Sequence, residues 1–415
     1  MELEGKSAGK IKVLRIIDRL NIGGPAIHTI LLTEELDKSM FDSVLVTGTV
    51  EKSEGDMFYL ASEKNIRPII IPELSRPLNV RNDFIAFWKL FCLIRRKKPD
   101  IIHTHKAKAG TLGRLACLLC KLNFHFSAYI FQPMLIHTFH GHVLHSYFGR
   151  IKSAFFIWIE RFLAVFTHKI IAVSESVRKE LIALKIASPE RIIAIPLGLE
   201  LKKYLKIEKN NNRNRNYKSV GIIGRLVPVK NHKMFLDAAK RLKNSLGIRQ
   251  RIKFLIVGDG LLRQELESYT ESSGIKQDVI FTGWIKDLEK IYSELDIVAL
   301  TSLNEGTPVA LIEAMAASRP VISTDVGGVK DLFSSQLEAK RDRSKAKIRY
   351  YDQGILIDSE DAETMAMAMK ELLENNRIRK KMGETGRKTV YPKYDISRLI
   401  DDMKMLYMNL TGEGI

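Results

Sequence analysis

Short apolar runs alternate along the chain with longer stretches in which apolar positions recur every three or four residues. The short runs predict strands buried on both faces, and the longer stretches predict amphipathic helices. In the first half, strands are expected at 12–17, 43–47, 68–71, 100–105, 134–140 and 169–173. Helices are expected at 28–36, 83–97, 111–122 and 151–166, with a two-glycine turn at 20–25. The segment 208–218, EKNNNRNRNYK, breaks the pattern with the composition of a linker. Strands resume at 220–223, 254–257, 279–281, 297–300, 321–323 and 355–357, with helices between them. The alternation predicts an α/β protein with parallel sheets covered on both faces.

The expected domains are 1–207, a linker at 208–218, a second α/β domain at 219–390, and a C-terminal helical segment at 391–415 that packs back on the first domain. Ligands of such sheets bind at the carboxyl ends of the strands, and two such edges are expected to face one another across a cleft. The basic segment 336–351 is read as an exposed loop or short helical insertion.

The 415 residues are 45% hydrophobic and 27% charged, which excludes a disordered or fibrous chain. Three cysteines cannot build a disulfide framework, and a reducing compartment is the expectation. Cys117 and Cys120 form a CxxC, but RLACLLCKL reads as a helix face rather than a redox motif. No long apolar run appears and the first ten residues are polar, so a cytoplasmic chain is expected, peripheral to the inner face of the plasma membrane where it meets lipid.

A net charge of +18 admits nucleic acid, an anionic membrane surface or anionic substrates as partners. Between positions 84 and 159 there are eleven basic residues and one acid, Asp100, interleaved with aromatics such as Trp88, Phe155 and Trp158. That mixture suits an anionic bilayer; the alternative is aromatic core with a solvated basic rim. No helix-turn-helix, zinc-finger, RRM or KH pattern supports nucleic acid.

The segment 302–330, SLNEGTPVALIEAMAASRPVISTDVGGVK, carries the clearest chemistry. A strand ends before it and a helix opens near Pro308, so the Gly306 and Thr307 amides are expected at a helix N-terminus, where phosphates and hydroxyls bind. Glu305 would accept from sugar hydroxyls, and Glu313, two turns on, would reach another part of the ligand. Each could instead be an ordinary helix charge, but Glu313 sits among apolar residues and needs a partner. After the strand at 220–223, Gly224-Arg225-Leu226 and Lys230 offer a guanidinium fork and a point charge. Gly23 and Gly24 allow close backbone approach. Seven of the ten histidines fall at 103, 105, 125, 137, 140, 142 and 145, yet no cysteine or carboxylate at supporting spacing argues for a metal.

With Glu305 and Glu313 eight residues apart, EGTPVALIEAMA followed by RPVISTDVGGVKDL resembles the signature of the family-4 retaining glycosyltransferases of the GT-B fold, over nearly the whole chain. Ser318, Asp331 and the Pro196-Leu197-Gly198-Leu199-Glu200 segment depart from the usual pattern. The resemblance implies two facing Rossmann-like domains and a nucleotide-sugar donor, with no metal and no cofactor. It places Arg225 and Lys230 on the departing diphosphate, Glu305 and His140 on the donor sugar, and Glu313 on the ribose. Gly23, Gly24, Gly306, Thr307 and Val309 complete the donor site.

The implied reaction moves a hexose or N-acetylhexosamine, with UDP as the expected nucleotide, to a glycan or lipid-linked acceptor in polysaccharide biosynthesis, with retention. A nucleotide-sugar 2-epimerase on the same fold and a non-enzymatic membrane-surface binder are the alternatives. A glycosidase is disfavoured because Glu305 and Glu313 do not flank one bond.

Overall fold

The computed structural model describes residues 9–51, 54–75, 79–124, 132–141, 150–207, 216–245, 251–333 and 348–412. The chain forms two compact units, residues 1–199 with 396–415, and residues 200–395.

The strands of the first unit are β1 (Ile11–Arg19), β2 (Phe41–Gly48), β3 (Ile69–Ile70), β4 (Ile101–His105), β5 (Met134–Phe139), β6 (Lys169–Ala172) and β7 (Ile192–Ala194). They form one parallel sheet in the order β3-β2-β1-β4-β5-β6-β7. Because side chains alternate along a strand, β1 feeds two cores. Leu14 and Ile16 join a cluster with Leu90, Ile94, Ala116 and Cys120 of helices Val80–Lys97 and Ala107–Phe124. Ile11 and Val13 join Leu399, Met403 and Tyr407 of the Ile396–Thr411 helix. The C-terminal amphipathic helix is thus an integral layer of the first unit. Cys117 and Cys120 lie on the helix face in that core, and burial pushes both thiols up to about 12.

The second unit holds β8 (Tyr217–Ile223), β9 (Arg251–Val257), β10 (Val279–Gly283), β11 (Ile297–Leu300), β12 (Val321–Thr324), β13 (Ile348–Tyr351) and β14 (Gly354–Ile357). Their order is β10-β9-β8-β11-β12-β14-β13, parallel except for the edge strand β13. Helices His232–Asn244 and Ala362–Glu374 pack Phe235, Leu242, Met365 and Leu372 against Val220, Phe254 and Ile355.

Three local expectations change. Tyr217 and Lys218 belong to β8 rather than to a linker, pairing with Arg251 and Ile252; positions 208–215 lie outside the described residues. Residues 348–351 of the basic insertion are an antiparallel strand on β14, where the alternation of Ile348 and Tyr350 reaches the core and Arg349 reaches Asp325. Positions 334–347 lie outside the described residues. The units divide at 199/200 and 395/396, and the short helix Lys202–Leu205 belongs to the second unit because Tyr204 is buried there against Tyr292.

Candidate active site

In both sheets the chain leaves two neighbouring central strands in opposite directions, β1 and β4 in the first, β8 and β11 in the second. Loops after such a pair diverge and leave a crevice at the strand ends. In the second unit, the loop after β8 carries Gly224, Arg225 and Lys230, and the loop after β11 carries Ser302, Glu305, Gly306 and Thr307. Lys230 Nζ donates to Glu305 Oε1 at 2.5 Å, and Ser302 Oγ donates to the same oxygen at 2.6 Å. Both of these bonds fall on Oε1 of the carboxylate. The backbone is held too, since Thr301 Oγ1 donates to the carbonyls of Lys230 and Asn231, and Gly328 N to that of Glu305. Arg225, Gly306, Thr307 and Val309 are partly exposed around this pair; Val309 is the first residue of the Val309–Ala316 helix and Pro308 caps it.

Glu313 lies in that helix and is 7% exposed. Tyr204 hydroxyl donates to its Oε1 at 3.0 Å and Tyr292 hydroxyl to its Oε2 at 2.9 Å. Burial raises the Glu313 pKa, and the two hydroxyls pull it back down. The partner that an acid in an apolar helix requires is therefore a pair of tyrosines.

At the strand ends of the first unit, Gly23 has φ 153°, a conformation open to glycine, and Gly24 and Pro25 start the Gly24–Glu35 helix. His140 follows β5, with Nε2 3.0 Å from Nδ1 of His105, the last residue of β4. Burial holds both imidazoles well below their ordinary pKa, so they are neutral at pH 7. Lys106, in a left-handed turn after β4, pairs with Asp18 at 3.0 Å and donates to Asn21. His103 bridges Tyr407 and Thr138, and His137 bonds Thr104, so both are tied into the interior. His125, His142 and His145 lie outside the described residues.

Some neighbours of these groups escaped the sequence reading. Gly258 and Gly260, both at positive φ, press the loop after β9 onto the Gly224–Leu226 turn; the GDG triplet after an apolar run was the available signal. His28 lies one helical turn beyond Gly24, with its ring 5.2 Å from that of His140. Tyr204 and Tyr292 carried no sequence signal, because they come from different segments and meet only in the fold.

Residues 22–203 match the Glycosyltransferase Family 4 model, and residues 204–389 match that for Glycosyl transferases group 1. A relative from Escherichia coli, UDP-Gal:alpha-D-GlcNAc-diphosphoundecaprenol alpha-1,3-galactosyltransferase, is 27% identical across 84% of this chain and 85% of its own. The structure of Anabaena Alr3699/HepE in complex with UDP and glucose has TM-score 0.75 and 18% identity, covering 96% of this chain and all of that one. Sucrose-phosphate synthase from Thermosynechococcus elongatus also has TM-score 0.75, with 19% identity over 98% of this chain and all of that one. The epimerase alternative gains no support, since both family models describe transferases. Two Rossmann-like sheets, each matched by its own transferase model, make this chain a member of the GT-B glycosyltransferases.

Proposed function

We propose that the protein transfers a hexose or N-acetylhexosamine from a UDP-sugar to a hydroxyl of a lipid-linked glycan during surface-polysaccharide assembly, with retention at the anomeric carbon. The observation that carries the donor half is the Lys230–Glu305 pair at the end of β8 and β11. A bound donor would take Lys230 and Arg225 on its diphosphate, offsetting the charge that develops as the phosphate leaves. Glu305 accepts from sugar hydroxyls, while Gly306, Thr307 and Val309 bring backbone close to the same ligand. Glu313, held by two tyrosines, fixes this helix and keeps its remaining lone pairs for the ribose. In the first unit, Gly23, Gly24 and His140 stand at the strand ends to which the family resemblance assigns donor contacts, His140 for the sugar. In a retaining route without a protein nucleophile, the leaving diphosphate oxygen accepts the acceptor's proton as the new bond forms.

A lipid-linked acceptor is supported by the name of the Escherichia coli relative and by a surface of this chain. Helix Arg150–Val165 exposes Phe155, Trp158, Phe162 and Val165 in one row, each at least 47% accessible. Arg95, Arg96, Lys97 and Lys98 end the Val80–Lys97 helix in solvent. Aromatic residues with exposed cations suit the headgroup region of an anionic membrane. Among the described residues no helix is long and apolar enough to cross one. The test is product analysis: a UDP-sugar and a polyprenyl-diphosphate-sugar acceptor should yield an elongated lipid whose new linkage keeps the donor's anomeric configuration by NMR. An inverted linkage, or transfer only to water, contradicts the proposal.

A further inference from the structure

We infer that Lys106 is a positioning residue for the donor, holding the Gly23–Gly24 turn of the first unit in place through a buried network of charges. The inference rests on the reading above that this turn meets the nucleotide-sugar. β1 and β4 are the two strands of the first sheet whose loops diverge, and Lys106 ties the end of one to the end of the other. It follows the last residue of β4 with φ 63°, a conformation uncommon for a residue with a side chain and one that recurs at functional sites. An ammonium has three protons to donate. Those of Lys106 meet three acceptors at or just past the end of β1: Asp18 Oδ1 at 3.0 Å, Asn21 Oδ1 at 3.0 Å and the Arg19 carbonyl at 3.3 Å.

A second set of contacts clasps the same segment. Arg19 donates to Asp18 Oδ2 at 2.5 Å and to both oxygens of Glu54, at 2.7 and 3.3 Å. Ile22 N donates to the Gly55 carbonyl, and Met57 N to that of Leu20. Lys106, Asp18, Arg19 and Glu54 thus join two positive charges to two negative ones. Asp18, Arg19, Asn21 and Glu54 are each at most 9% exposed. Burying charges costs solvation, so such a network adds little net stability; what it fixes is geometry. Gly23 and the Gly24–Glu35 helix follow directly. The backbone of the turn is therefore set before a ligand arrives, which lowers the ordering cost of binding. Without the ammonium, Asp18 and Asn21 would stay buried with one partner fewer, and the turn would lose its tie to β4. Lys108, two residues on, pairs instead with Asp83 at 2.6 Å, on the Val80–Lys97 helix.

Two measurements on the full chain test this, with Lys106→Met, which removes the ammonium, and Lys106→Gly, which also relieves the backbone. Hydrogen exchange without substrate should quicken about tenfold at the amides of Ile22 and Met57 in both variants, with the β5 amides unchanged as the check on folding. Lys108→Met should leave Ile22 and Met57 at wild-type rates. In steady state, both Lys106 variants should raise the KM for a UDP-sugar about tenfold and hold kcat within about twofold, the pattern for binding lost equally from ground and transition states. Wild-type exchange in folded Lys106→Met overturns the proposal, and so does equal quickening in Lys108→Met. A KM restored in Lys106→Gly overturns it as well, since backbone strain and not the ammonium would then be at work. Faster exchange with an unchanged KM overturns the positioning role while leaving the donor reading intact. A wild type that neither binds nor turns over any UDP-sugar overturns the donor reading itself, and the role with it.

Discussion

Lys230 Nζ and Glu305 Oε1 meet at 2.5 Å, joining the loops that leave β8 and β11. The contact holds a cation and a carboxylate in one crevice with the carboxylate only 9% exposed, an arrangement in which each group fixes the other's position. Removing either should damage catalysis more than folding. Lys230→Met and Glu305→Gln are each expected to lower kcat by about 10²- to 10³-fold, the range for loss of one preorganised charged group. The double variant should lose less than the product of the two effects, because the residues act as a unit. Steady-state rates of nucleotide release measure this, and strict additivity would contradict the pairing.

Glu313 supplies a pH prediction. Its folded pKa is raised above the ordinary 4.5 by burial, so the folded chain holds that proton more tightly than the unfolded one. Its stabilising contribution is full below 4.5 and is lost as pH rises through the folded value. Glu313→Gln should abolish this fall, narrowing the difference in Tm between acid and neutral pH relative to wild type. Tyr292→Phe removes a donor to the carboxylate and should widen it, at a cost of about 1–3 kcal/mol at neutral pH. Unchanged pH slopes in both variants would remove Glu313 from the account.

A Cβ on Gly258 would sit 2.1 Å from the carbonyl oxygen of Gly224, at φ 135°. Gly258→Ala must therefore shift the turn that carries Arg225. It is expected to destabilise by about 1–3 kcal/mol and to raise the KM for the donor. At Gly274, φ is also positive but nothing lies within 4 Å, so Gly274→Ala should cost stability while leaving KM alone. Equal KM values in the two variants would contradict a donor role for the Gly224 turn.

The exposed row on helix Arg150–Val165 predicts salt-sensitive binding to vesicles containing anionic phospholipid. Trp158→Glu combined with Phe162→Glu should abolish co-flotation, and neutralising Arg95, Arg96, Lys97 and Lys98 together should reduce it and flatten its salt dependence. Soluble acceptor analogues should still be used by both variants. Flotation that is indifferent to these changes would place the membrane contact elsewhere.

The sheets were legible because central parallel strands are apolar on both faces; the runs at 12–17, 220–223 and 297–300 lie within strands, and that at 100–105 overruns its strand only by Asp100. Of the four edge strands, β3 and β10 were legible too, whereas β7, only three residues long, and β13, half-exposed within a basic segment, were not. The same division holds at the site. Arg225, Lys230 and Glu305 were visible as charged residues punctuating strand ends and helix starts. The tyrosines on Glu313 and the ring of His28 were not, since their partners lie 109, 21 and more than 70 residues away. Local pattern reports a residue's own element; it does not report what another element brings against it.

The Lys230–Glu305 pair is proposed to serve nucleotide-sugar chemistry. The most direct measurement is nucleotide release from a panel of UDP-, GDP- and ADP-sugars, with and without a bacterial lipid extract, for wild type and Glu305→Ala. Release from one UDP-sugar, stimulated by the extract and lost in the variant, is the predicted result. Release that is unaffected by Glu305→Ala would contradict the account, as would the failure of wild type to bind any nucleotide-sugar of the panel.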